Sequence, residues 1–177
     1  MDVSKAIEKR ISVRAYEDRP VPADVLKKIV EAGQWAPNAG PLQISVIQNA
    51  GLRQRINNRA KDAMIHSDNE FARKRASLPG YEPIYGAPVL ILLSAPADAP
   101  LGVANTALAA ENMLLEATEL ELGSCFLMSP TRALNGESNK DFLGYVEVLS
   151  YGFDGEEWKK LITYASELST EAEAREK

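Results

Sequence analysis

Apolar and polar residues alternate along this chain in two distinct rhythms. Val3, Ala6, Ile7 and Arg10 fall on one helical face, with Asp2 or Ser4 placed to cap it. A second helical stripe runs through Val25, Leu26, Ile29 and Val30. It begins near Pro22, where proline suits a first turn, and is bracketed by Gly33 and Pro37. Leu52, Ile56, Ala60, Ala63 and Met64 predict a third helix, and residues 70–76 a short one inside the polar, irregular stretch 66–85. Residues 101–120 carry Ala, Leu and Met around nearly the whole circumference, the pattern of a buried helix that also meets a second subunit. Trp158, Leu161, Ile162 and Ala165 mark a last helix over 156–168.

The other rhythm is that of strands. Residues 11–16 alternate and read as extended, 42–48 read as a strand, and the wholly apolar run 89–93 reads as a strand covered on both faces. Two more strands are expected at 124–128 and 146–150. Helices and strands do not alternate regularly, so the expected class is α+β: a sandwich in which helices flank a mainly antiparallel sheet. Its 177 residues predict a single domain over 1–168 with a frayed tail over 169–177.

Composition narrows the chemistry. Hydrophobic residues make up 45% and charged residues 25%, as in an ordinary globular chain. Single residues of cysteine, Cys125, and histidine, His66, exclude an intrachain disulfide and any multi-histidine metal site. A net charge of -5 argues against nucleic acid as a partner. Charge interrupts the first ten residues, and the longest apolar run, 87–93, is far shorter than the roughly 20 residues that span a bilayer. The expectation is a cytoplasmic protein with no membrane partner. Neither common phosphate-cradling glycine loop is present.

Three segments could carry chemistry. In Arg10-Ile11-Ser12-Val13-Arg14 an extended backbone points residues 10, 12 and 14 the same way. Two guanidinium groups and a hydroxyl suit a phosphate monoester; a solvated basic strand is the plainer alternative. In Pro37-Asn38-Ala39-Gly40-Pro41-Leu42-Gln43 small residues allow backbone to approach a ligand, while Asn38 and Gln43 offer donors and acceptors. From those residues alone, an ordinary turn between helix and strand is the plainer reading. In Gly123-Ser124-Cys125-Phe126-Leu127-Met128-Ser129 the cysteine has no base beside it and reads as a small buried hydrophobe.

Taken in order, these segments resemble the nitroreductase family of flavin enzymes. The family's R-x-S-x-R stands here as residues 10–14, its A-P-S-A-G-N-x-Q as 36–43, its A-P-V-x-I as 87–91, its A-x-x-N-M-x-L-x-A around Asn112, and its G-S-C-W as 123–126. The resemblance implies an intertwined homodimer with FMN at the subunit interface. NADH or NADPH would reduce it, and a nitroaromatic, quinone or related small-molecule electrophile would reoxidise it at flavin N5 in ping-pong turnover. By the same resemblance Arg10 and Ser12 hold the FMN phosphate and ribityl end, and Arg14 approaches the N1/O2 edge. Pro37, Asn38, Ala39 and Gly40 wrap the ring and ribityl chain from the other subunit with Gln43 close by. The backbone of Leu127, Met128 and Ser129 lies against the N5/O4 edge. No catalytic side chain and no metal are assigned, because flavin carries the hard chemistry itself.

The chain departs from the family pattern at several positions. Asn38 replaces serine, Pro41 replaces asparagine, Ile44-Ser45 replaces Pro-Trp, and Glu121 stands where glycine is common. The family's basic C-terminal phosphate ligand is not recognisable, with Lys159 or Lys160 as substitutes. A different reading keeps the flavin but gives it a protein electron donor, or a flavin-sensing or breakdown role. A further one makes the basic residues between Arg53 and Arg75 a nucleic-acid face, against a solvated helical face. Phe71, Tyr81 and Tyr85 are candidates either to stack on substrate or to pack in the core.

Overall fold

The computed structural model describes residues 1–134. Its elements run α1 (Val3–Lys9), α2 (Ala23–Gln34), β1 (Gln43–Ile47), α3 (Ala50–Ile65), α4 (Glu70–Ala76), β2 (Leu90–Ser94), α5 (Gly102–Glu119) and α6 (Ser129–Leu134). The expected strand at 146–150, the helix at 156–168, the tail and the Lys159/Lys160 substitutes lie outside the described residues.

Local chemistry starts these helices. Asp2 accepts from the Lys5 N–H at 3.0 Å, Asn49 from Leu52 at 2.7 Å, and Asn69 from Phe71 and Ala72 at 2.9 and 3.2 Å. Pro22 precedes α2 as read from the sequence. The helix ends at Gln34, between Gly33 and Pro37 as expected. Gly33 lies in its last turn, where α2 meets α5 so closely that a Cβ on Gly33 would sit 2.7 Å from Met113 Sδ. Glycine is there for the approach of two helices, not to stop one.

β1 and β2 pair antiparallel, with Gln43 opposite Ser94 and Ile47 opposite Leu90. Both strands fall within a residue of the expected runs. β2 is half-buried along its whole length, so the expected cover on both faces is incomplete among the described residues. The core gathers Leu26, Ile29 and Val30 from α2, Ala109, Ala110 and Met113 from α5, and Ile47 from β1. Ile56 and Ala60 of α3 are also buried, with Pro83 and Ile84 beyond β1. α5 packs on α1, α2 and β2, while α3 carries α4 and α6.

The circumference of α5 is not all buried within the chain. Asn105, Ala109, Ala110, Met113 and Ala117 point inward, but Val103 is 87% and Leu108 47% exposed. The apolar sequence is therefore split between a core face and an uncovered face. No helix among the described residues is long and apolar enough to cross a membrane.

Candidate functional site

Backbone pairing brings two of the three chemistry-bearing segments together. Ser12 and Ser124 form a parallel bridge, and the Val13 N–H donates to the Ser124 carbonyl at 2.9 Å. Gly123 makes this approach possible, since a Cβ there would lie 3.0 Å from both methyl carbons of Val13. The strand expected over 124–128 is reduced to that single bridge. Beyond it the chain leaves the extended path and turns into α6 at Ser129.

Alternation sorts the side chains of the first segment. Lys9, Ile11 and Val13 line a cleft of about 300 Å³ together with Thr118, Leu122 and Gly123. Residues of the opposite parity, including Ser12, therefore face the other way. Arg10 lies 3.8 Å from Glu111 through Nε, a long, half-exposed pair. Arg14 is exposed and donates through Nη1 to the Ser12 carbonyl at 3.4 Å. Tyr16 closes the segment by donating to the Val13 carbonyl at 2.9 Å. Burial pushes its phenol up to about 12, with nearby Cys125 adding to the shift and Arg14 opposing it. Cys125 is half-buried and its thiol lies 3.7 Å from the Phe126 carbonyl.

The second segment is an exposed loop anchored from beneath. Pro37, Asn38, Ala39 and Gly40 are all exposed, while Ala36 is buried. Gly40 has φ +127, a conformation that L side chains rarely adopt, although a Cβ there would touch nothing. The Ala39 N–H donates to Asn105 Oδ1 of α5 at 3.4 Å. Gln43 donates to Ser45 at 3.0 Å, two residues along the same strand face. Leu127 and Ser129 are half-buried and Met128 is 63% exposed.

The stretch 66–85 has an internal structure of its own. Arg75 donates to the Tyr85 hydroxyl at 2.7 Å and stands 5.3 Å from the Tyr81 ring centre, and the two tyrosine rings meet edge to face at 6.0 Å. Tyr81 and Tyr85 are thus engaged within the chain, whereas Phe71 is 70% exposed. Much of the basic run is also spoken for. Arg53 donates to the Ala87 carbonyl at 2.7 Å, Arg73 to Ser67 at 2.6 Å, and Lys74 pairs with Glu70 at 2.7 Å.

With this geometry in view, comparison with known families matches residues 7–150 to the nitroreductase family. The chain belongs to the nitroreductase family. Among solved nitroreductase structures, one with bound FMN from Bacteroides fragilis is 31% identical, with a TM-score of 0.73 over 81% of this chain and 79% of that one. Another with bound FMN, from Desulfitobacterium hafniense, is 20% identical with a TM-score of 0.76, over 88% of this chain and 83% of that one, a likeness of fold. A protein of Methanothermobacter thermautotrophicus named for NADH dehydrogenase/NAD(P)H nitroreductase activity is 37% identical over 59 residues. That stretch is 32% of this chain and 31% of the other protein, so the match spans about a third of that relative.

Family membership explains why the segments keep their order, and two residues of the chain gain their meaning only in the structure. Glu121 has φ +59. Leu122 N–H reaches the Ala117 carbonyl at 2.8 Å and Glu121 N–H the Thr118 carbonyl at 3.2 Å, the Schellman ending of α5. A left-handed residue is needed there, which gives the family's glycine its reason. Asn105 is the other: one amide in an apolar helical run is a signal, and it was overshadowed by the alanines and leucines around it.

Proposed function

We propose that this chain is an FMN-dependent oxidoreductase that takes reducing equivalents from NADH or NADPH and passes them to a nitroaromatic, quinone or related electrophile, working as a homodimer. The observation that carries the reading is the Ser12–Ser124 bridge, which sets the Arg10–Arg14 segment beside the segment leading to Leu127, Met128 and Ser129. The donor set fits the cofactor. Among the described residues Arg10 meets Glu111 at a long 3.8 Å, so its guanidinium can turn to a phosphate dianion with Ser12, and Arg14 meets the Ser12 carbonyl at a long 3.4 Å, so it can turn to the N1/O2 edge of the ring. Pro37, Asn38, Ala39 and Gly40 present small, exposed residues for the close approach of a flat ring, with Gln43 at the root of β1.

When bound, FMN would supply the two-electron chemistry at N5. The chain's part is to bind, orient and set charge. Arg14 favours negative charge on a reduced ring by its own positive charge, and the main chain at Leu127, Met128 and Ser129 offers hydrogen-bonding groups without side-chain chemistry. No catalytic side chain is assigned, and water is the expected proton source. The exposed Val103 and Leu108 of α5, with Val3, Ile7 and Trp35, support the homodimer by leaving apolar surface uncovered among the described residues.

The visible spectrum of the purified protein, followed by anaerobic addition of NADH or NADPH, tests the reading. Bound FMN that bleaches on addition is the expected result. FMN that stays oxidised would transfer the reading to a protein electron donor or to flavin sensing or breakdown. A colourless protein that takes up no added FMN overturns it.

A further inference from the structure

Asn105 is 4% exposed, one turn into α5. Its Oδ1 accepts from the Ala39 N–H, and since a main-chain N–H can only donate, that bond fixes which end of the amide is oxygen. The other end, Nδ2, is buried and has no hydrogen-bond partner among the described residues. A buried donor left unpaired is costly and uncommon. Asn112, seven residues along the same helix, shows the contrast: its Nδ2 donates to the Ala32 carbonyl at 3.2 Å. Asn105 uses its acceptor end alone among the described residues, beneath the exposed residues 37–40.

We infer that Asn105 is a binding residue for the flavin: its oxygen seats the loop through Ala39, and its Nδ2 donates to an acceptor atom of the cofactor. This rests on the flavin reading above. A carboxamide suits the double task because one carbon carries both an acceptor and a donor, which leucine lacks altogether and an ionised aspartate lacks on the donor side. Flavin offers acceptors in plenty, in its ring carbonyls, its ring nitrogens and its ribityl hydroxyls.

The test compares the full-length wild-type protein with Asn105→Leu, measuring FMN affinity by fluorescence titration, Tm without FMN, and solution mass. The expected result is a split: FMN affinity falls about tenfold, while the Tm of the flavin-free protein changes little, because the variant removes the unpaired Nδ2 donor and hands the exposed Ala39 N–H to water. A residue with a merely structural task gives the reverse, a lower flavin-free Tm with unchanged FMN affinity, and that overturns the inference. So does a shift confined to subunit dissociation, which would assign Nδ2 to a carbonyl of the second copy. If wild type itself binds no FMN, the flavin reading falls and the inference with it; wild type that binds with unchanged affinity in the variant sinks the inference alone. Should Asn105→Leu not fold, NMR of the wild type decides. Slower solvent exchange of the Asn105 side-chain NH₂ on saturation with FMN supports the assignment, and an unchanged rate overturns it.

Discussion

Glu121 shows how a residue that matches no chemistry can still be informative. It holds φ +59 at the end of α5, where a side chain costs about 1–2 kcal/mol and glycine costs far less. Its carboxylate also faces the negative end of the helix dipole. Against this, glycine loses about 0.5–1 kcal/mol of chain entropy on folding. Glu121→Gly is therefore expected to gain about 1 kcal/mol, raising Tm by roughly 2–4 °C in a thermal melt. Tyr16 makes a prediction about pH. Its phenol ionises near 10 in the unfolded chain and about 12 in the folded one, so its contribution is complete below pH 10 and is lost as pH rises through 12. Denaturant midpoints measured across that window should fall more steeply for wild type than for Tyr16→Phe. Glu121 was visible in the sequence as a departure; its backbone angle was not, because a side chain's identity does not report its φ.

At the level of elements, periodicity carried most of the reading. α3, α4, β1 and β2 lie within two residues of where apolar spacing puts them, and α3 and α4 each start at an asparagine cap. What periodicity does not supply shares a cause. Gly33 brackets the end of α2 as expected, yet its reason for being glycine is Met113, eighty residues away in sequence and close in space. The 124–128 run looks like a strand because its residues favour one, yet pairing ends after Ser124. Tertiary partners decided both, and composition does not name partners. Gly33→Val should cost about 1–3 kcal/mol by driving a side chain into Met113, measured by chemical denaturation. Pairing it with Met113→Ala should return part of that loss, as coupled neighbours do.

For the whole molecule, the uncovered face of α5 sets the terms. Val103 is 87% exposed in the first turn of an apolar helix, with Leu108 a little over a turn away. Burying such surface between two copies is worth about 25 cal/mol per Å². Val103→Glu is expected to shift the protein from dimer toward monomer by light scattering, with FMN lost alongside if the cofactor lies between subunits; a monomeric wild type would contradict this. The order of the site segments was legible from one end of the described chain to the other. What joins them was not: the Ser12–Ser124 contact is made by main chain, and Gly123 contributes by having no side chain at all.

That bridge also has a consequence for biosynthesis. Ser12 leaves the ribosome early and Ser124 late, so the candidate phosphate-binding strand emerges well before its partner exists. A pairing between such distant positions closes a long loop and belongs among the slow, late contacts of folding. Nascent chains halted short of Gly123 should hold α1 and α2 and yet retain no flavin, and cofactor capture should begin only when the end of α5 and the residues beyond it have cleared the tunnel.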